Sequence, residues 1–349
     1  MFLGRKGVVG LDIGSNAIKV LELKNTKKGH QLKNVGEAVL PHQSIVNKVI
    51  SKPEAVADTL SVLMDDLRIK TKNVAISISG HSVIIKKVSM PNMSHNELKE
   101  SIPWELEQYI PQSIQDVSYD YQVIPGETPD GNIDVLIVAA KKDVTNSYIS
   151  IVNEVGLNPV IVDVDVFALE NMYEINYAES QGVLALVNIG ASVTNINILK
   201  DGVSIFTRDI TVGGDQFTDW IIKEFDCSFE EAESMKLTLM SGEQNPQVER
   251  ISQDFIDLIS GEIKRTLDFF SSTLWKGKIE TIMLGGGSSK VPGLIDVLTD
   301  MTESDVEMMN PFRTISYDTG DFDPDYLEDL APKMNVVMGL ALRKPGDKQ

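Results

Sequence analysis

The sequence predicts an α/β protein made of two related halves, and three observations carry that expectation. Two strand–turn–strand units, at 8–23 and 184–199, share one pattern and lie 176 residues apart when Gly14 is set on Gly190; a duplicated domain has such a half-length offset. Strand-like runs alternate with helical spacings through both halves. At 349 residues the chain exceeds one ordinary core, so two domains with insertions are expected.

In order, the apolar run 8–11 ends in Asp12, Ile13, Gly14 and Ser15, after which Ile18, Val20, Leu21 and Leu23 resume β-like alternation, a hairpin with a polar turn. Helical spacing over 53–67 and a strand over 74–79, closed by Gly80, complete a first α/β unit. From Val88 the texture changes. Ser94 and Glu97 form a capping box that opens a helix carrying Leu98, Ile102, Leu106 and Tyr109, with Pro103 expected to kink or split it. A turn-rich stretch at 125–132, a strand at 133–140, a helix around 147–154 and a strand at 160–164 follow, and 88–156 reads as an inserted subdomain.

The second half opens with the charge-free segment 181–199, too polar for a bilayer core because of Asn188, Ser192, Thr194, Asn195 and Asn197, and therefore a buried strand pair. Gly213 and Gly214 precede a helix near 216–225. Ser228 with Glu231 caps the next, which stops at Gly242. A long helix spans 247–275, a strand at 280–284 enters Gly285, Gly286 and Gly287, and a helix follows at 291–301. Ten acids against the single Arg313 make 300–329 a solvated acidic loop, before a last helix at 332–343.

Composition excludes several functions. Acids outnumber bases 51 to 32, for a net charge of -19, a field opposite to what a phosphate backbone attracts, so nucleic acid is not an expected partner. One cysteine, Cys227, forms no internal disulfide and fits a reducing cytoplasm. His30, His42, His81 and His95 have no zinc-hydrolase spacing. The N-terminal apolar run is cut by Asp12 and is no export signal.

Tight glycine turns expose backbone N–H groups to anions, so Gly14 and Gly190 are candidate phosphate cradles. In the first turn Asp12 can hold a Mg²⁺-bound water, Ser15 can donate to a phosphate oxygen and Lys19 can offset phosphate charge; an Asp-x-Gly-Ser hairpin turn without a ligand has the same sequence. Gly285, Gly286 and Gly287 let backbone approach a flat ligand, or serve as a flexible strand-to-helix turn. Glu233 and Lys236 share a helix face suited to ribose hydroxyls or an adenine edge, and equally to a surface ion pair.

Taken in order, Asp12 to Ser15 with Asn16 and Lys19, Asn188 to Ala191, Val212 to Gly214, Glu233 with Lys236, Gly285 to Ser288, and Gly339 resemble the phosphate, connecting and adenosine elements of the actin-like ATPase superfamily, a duplicated ribonuclease H-like fold. The position of the insertion, together with Ile102 to Pro111 and Asp120 to Val123, resembles the type IV pilus assembly PilM family, similar in architecture to the division protein FtsA. The resemblance implies subdomains 1A (1–87 and 157–182), 1C (88–156), 2A (183–215 and 277–349) and 2B (216–276), with Mg²⁺ and ATP between the halves. It implies a cytoplasmic protein, peripheral to the inner membrane only through partners. Those partners are the cytoplasmic N-terminal segment of PilN, held in a groove near 1C, and other proteins of the assembly platform; self-association is left open.

From the residues, Trp104, Leu106, Tyr109 and Ile110 are candidates to line that groove, with core packing as the competing role. The superfamily carries Asp where this chain has Asn188, which keeps a ligand oxygen and loses the charge. Asp165 falls near the position where relatives orient attacking water. Nucleotide binding is therefore expected ahead of turnover, which is slow or absent. Three alternatives stand beside this reading: a small-molecule kinase of the superfamily, an FtsA-like filament adaptor, whose C-terminal membrane helix has no counterpart after Arg343, and a non-catalytic adaptor with a degenerate site.

Overall fold

The computed structural model describes residues 7–124, 131–177 and 182–346; the turn-rich stretch expected at 125–132 falls mostly outside them. The first half contains β1 (Val9–Ile13), β2 (Ala17–Thr26), β3 (Gly29–Val39), the short pair β4 (Ile45–Val46) and β5 (Val49–Ile50), α1 (Pro53–Asp66) and β6 (Asn73–Ile78). After these come β7 (Val83–Pro91), α2 (His95–Leu106), β8 (Val117–Ile124), β9 (Asn132–Lys141), α3 (Lys142–Glu154), β10 (Asn158–Val164) and α4 (Asp165–Asn176). The second half has β11 (Val183–Ile189), β12 (Thr194–Lys200), β13 (Val203–Ile210), α5 (Gly214–Phe225), α6 (Phe229–Met240) and α7 (Pro246–Thr273). It closes with β14 (Thr281–Gly285), α8 (Leu294–Thr302), β15 (Asp305–Met308), α9 (Pro324–Leu330) and α10 (Asn335–Leu342).

The duplication is explicit in the topology. One sheet runs β3-β2-β1-β6-β10 and the other β13-β12-β11-β14-β15, each with an antiparallel meander followed by two parallel strands. Even the register repeats: Asp12 faces Lys19 in the first hairpin, and Asn188 faces Asn195 in the second. Each sheet has its own apolar core. Between the sheets, α10 lies on β1 and against α4, while α4 reaches β12, and a further apolar cluster seals the seam. A Cβ at Gly339 would overlap the carbonyl of Ala168, and one at Gly10 the carbonyl of Val337, so glycine there lets backbones touch.

The stretch of chain that links β6 to β10 forms a third sheet, β7-β9-β8, whose core with α2 includes Leu98, Ile102, Leu106 and Ile110. The segment 88–156 straddles two cores: β7 starts before it, and α3 puts Tyr148, Ile151 and Val152 into the core of the first sheet.

Other expectations shift for local reasons. The helix through Pro103 runs unbroken to Leu106; it ends a turn later, so the proline interrupts little, and Tyr109 lies beyond it. Gly293, at φ 86°, delays α8 until Leu294. The acidic stretch 300–329 is no plain loop, since β15 pairs with β14 and α9 buries Leu327 and Leu330. A 3-10 turn at Ala331–Lys333 precedes α10.

Candidate nucleotide cleft

The two hairpin turns meet at the mouth of the gap between the halves. Gly14 N–H donates to Ala17 O and Gly190 N–H to Val193 O, both at 3.0 Å, so the glycine donors close their own turns. Next to them, the N–H groups of Ser15, Asn16, Ala191 and Ser192 make no backbone hydrogen bond. The backbone donors left open in each turn are therefore those of the two residues after the glycine. The tips touch, with Ser15 Oγ 2.6 Å from Ser192 Oγ.

A cavity of about 260 Å³ opens beneath this contact. Asp12, Lys19, Asn188, Asp165, Glu233, Lys236, Gly286, Gly287 and Ser288 line it together with both turns. Gly213, Gly214 and Gly285 stand behind it as braces. Gly214 N–H donates to Gly190 O and Asp215 N–H to Ala191 O, a Cβ on Gly213 would overlap the Ala191 carbonyl, and Gly285 packs on Asn335. Gly286, at φ 91°, threads past the Ile189 backbone in a conformation that side chains disfavour.

Lys19 Nζ pairs with Asp12 Oδ2 at 2.9 Å. The corresponding pair in the second hairpin is neutral, with Asn188 Nδ2 3.5 Å from Asn195 Oδ1. Asn195 in turn donates to Asp209 at 2.8 Å, and the other Asp209 oxygen accepts from Gly80 N–H in the first half at 2.6 Å. Burial pushes the Asp209 carboxyl up, against the pull of those two bonds. At the opposite end, Lys236 is buried, pairs with Glu233 and donates to Thr218 Oγ1 at 2.7 Å. Leu237, 54 % exposed, and Met240 give this end an apolar shelf.

Asp165, first residue of α4, is buried among polar partners. Its Oδ1 accepts from Ser77 Oγ at 2.6 Å and its Oδ2 from Lys48 Nζ at 3.1 Å. Burial by itself would raise this carboxyl, but Lys48 and the Ser77 hydroxyl outweigh it and hold it below the usual range. Lys48 gives no signal in the sequence. Other missed residues tie the halves: Lys333 Nζ to Glu37 at 2.7 Å, and the His42 ring stacked on Phe229 with centroids 3.8 Å apart.

The expected partner strip does not form. Leu106 and Ile110 are buried in the core of the inserted sheet, whereas Trp104 is 74 % and Tyr109 38 % exposed, because Trp104 falls off the Leu98–Ile102–Leu106 stripe of α2. Among the described residues no group of three or more His, Cys, Asp or Glu forms a metal site, and no helix is long and apolar enough to cross a membrane.

The fold matches solved structures over nearly its whole length. The protein of a PilM–PilN type IV pilus biogenesis complex aligns with TM-score 0.88 and 28 % identity, covering 97 % of this chain and 98 % of that one. The ethanolamine utilization protein EutJ from Carboxydothermus hydrogenoformans aligns with TM-score 0.57 and 14 % identity over 96 % and 89 %. MreB5 of Spiroplasma citri, solved with AMPPNP, gives 0.50 and 13 % over 96 % and 94 %; these two show the actin-like fold alone. The family model for type IV pilus assembly protein PilM matches residues 10–345. Agreement of that extent, in sequence and fold together, makes this chain a member of the type IV pilus assembly protein PilM family.

Proposed function

We propose that this actin-like pilus assembly protein binds Mg-ATP between its halves and uses the bound nucleotide to set the shape of a surface that holds the cytoplasmic N-terminal segment of PilN. The observation that carries the reading is the paired turn tips: four residues whose N–H groups have no backbone partner, two from each half, line one cavity, a donor set suited to a polyphosphate. Lys19, Lys48 and Lys236 supply cationic charge along the same cavity. Mg²⁺ would offset charge on the phosphate oxygens, with Asp12 holding one of its waters and no all-protein cage required. Leu237 and Met240 would take the flat face of the base, and Glu233 with Lys236 the ribose hydroxyls.

Both oxygens of Asp165 are occupied, which favours binding over turnover in this conformation. We divide the chain into subdomains 1A, 1C, 2A and 2B in that order and draw 1C at 83–141, a choice that the separate sheet and core of that segment support. Of the four candidate groove residues, exposed Trp104 and Tyr109 are the two that would face a partner on that subdomain, and membrane association would come through the partner. Support for PilN as the partner is the fold match to the PilM–PilN complex.

Calorimetry with Mg-ATP and with a peptide of the PilN N-terminal segment, separately and together, tests the reading. Each ligand should alter the affinity for the other by the same factor, because such coupling is reciprocal. Peptide binding without nucleotide binding would leave a pilus adaptor with a relic cleft.

A further inference from the structure

Lys48 occupies a position that ordinary chain economy does not explain. It sits with Asn47 in the two-residue turn between β4 and β5, and both have positive φ, 50° for Asn47 and 64° for Lys48. A two-residue hairpin favours that geometry, but glycine or asparagine normally provides it; a lysine there costs about 1 kcal/mol. The surroundings hold it in place. Tyr148 Oη donates to Lys48 O at 3.1 Å, and the side-chain stem lies over Gly80, where a Cβ would sit 3.3 Å from Lys48 Cγ. From the turn the ammonium reaches the floor of the cavity, its side chain 16 % exposed, and ends on Asp165.

Electrostatics fix its state. Burial opposes charge on Lys48, but Asp165 and, further off, Tyr148 and Asp12 outweigh it and raise the amine above its usual range. The ammonium is thus permanently charged, stands on the Asp12 side of the cavity, and is separated from Lys236, which is committed to Glu233 at the other end. A nucleotide whose base rests near Leu237 and Met240 and whose phosphates follow the turn tips would place its last phosphate beside Lys48.

Resting on the nucleotide reading above, we propose that Lys48 is the residue that distinguishes a nucleoside triphosphate from a diphosphate, with Asp165 as the carboxylate that holds its ammonium when no terminal phosphate is present. A terminal phosphate exchanges one anionic partner for another, so Lys48 stays paired in both states. The exchange also releases Asp165 Oδ2, making that carboxylate available to a water only when a triphosphate is bound. Since Lys48 and the His42 that stacks on Phe229 belong to one segment, 42–48, the exchange acts on a stretch of chain that already touches the second half.

The test is calorimetry with Mg-AMPPNP and Mg-ADP on the full chain, comparing wild type with Lys48→Met and with Lys48→Arg. Loss of a charge-assisted hydrogen bond predicts AMPPNP affinity about 10–100-fold weaker in Lys48→Met, ADP affinity within about twofold, and partial recovery in Lys48→Arg. Equal losses for both nucleotides, or none, would overturn the proposal while leaving the nucleotide cleft in place. Wild type binding neither nucleotide would overturn both. Should Lys48→Met fail to fold because Asp165 is left unpaired, the double variant Lys48→Met with Asp165→Asn removes both charges and must show the same selective loss.

Discussion

The two hairpins that face each other across the cleft share topology, register and turn length, yet they are held and charged differently. The first joins Asp12 to Lys19 by an ion pair, and its turn is braced from outside mainly by Leu40 N–H on Asn16 O at 2.8 Å. The second places two amides at the same register, and its turn accepts backbone bonds from Gly214 and Asp215. One copy carries charge on a lightly tied turn; the other is neutral and fixed by main chain. In the proposed phosphate site, the two demands of field and rigidity would thus be met by separate copies.

That contrast can be broken at its charged end first. Asp12→Asn makes the first hairpin resemble the second and should weaken Mg-ATP binding about 10–100-fold, the usual cost of losing a group that orients a metal's water; calorimetry showing unchanged affinity would end the assignment of Asp12 to Mg²⁺. The braced end comes next. Gly213→Ala forces a methyl into the Ala191 carbonyl and should lower stability by about 1–3 kcal/mol, read from the urea midpoint. Gly14→Ala, where the nearest atom is Ala17 O at 3.0 Å, should cost less, and equal losses would remove the distinction.

The seam behind the second hairpin supplies a pH test. Glu170 on α4 accepts from Ser204 N–H at 3.3 Å and lies 3.5 Å from Asn197 Nδ2, and burial raises its carboxyl to about 7. A carboxyl that is raised in the folded state is protonated there while the unfolded chain ionises, so stability falls as pH rises from about 4.5 to about 7 and stays low above. Glu170→Gln should remove on the order of 1–3 kcal/mol of that penalty at pH 8. Melting curves at pH 5 and pH 8 that diverge as much in the variant as in wild type would exclude this role.

Two smaller changes sharpen the comparison. Asn188→Asp restores charge to the second copy and should tighten Mg-ATP roughly 3–10-fold, with no gain in EDTA; a gain without Mg²⁺ would point elsewhere. Ser192→Ala removes the hydroxyl contact between the tips and should shift stability by about 1 kcal/mol or less. A larger loss in chemical denaturation would mean that the tips, and not the seam helices, hold the halves together.

What the sequence made legible is local. Both hairpins, their glycine turns and both capping boxes are written in residues close together in the chain, and the structure has them where the spacing puts them. Leu106 and Ile110 were open to the same reading, since Leu98, Ile102 and Leu106 already define the buried stripe of α2. Lys48 was not. Its partner Asp165 lies 117 residues on, an Asn-Lys turn looks like any surface hairpin, and nothing in its neighbours marks a buried cation. Glu37 with Lys333 and His42 with Phe229 were hidden for the same reason: such pairs exist only once the halves close on each other.

The crossing of α10 on α4 has a mechanical meaning. At Gly339 backbone meets backbone at Ala168 with no side chain between them, so the two helix axes come closer at that point than side-chain ridges would let them. The crossing is locked on either side by packing, since pulling the helices apart would expose the apolar cluster around it. Under the proposed reading, a nucleotide at the mouth of the gap would act at a distance from that crossing, and a small change in the gap would reach the outer ends of the molecule scaled by the length of each arm.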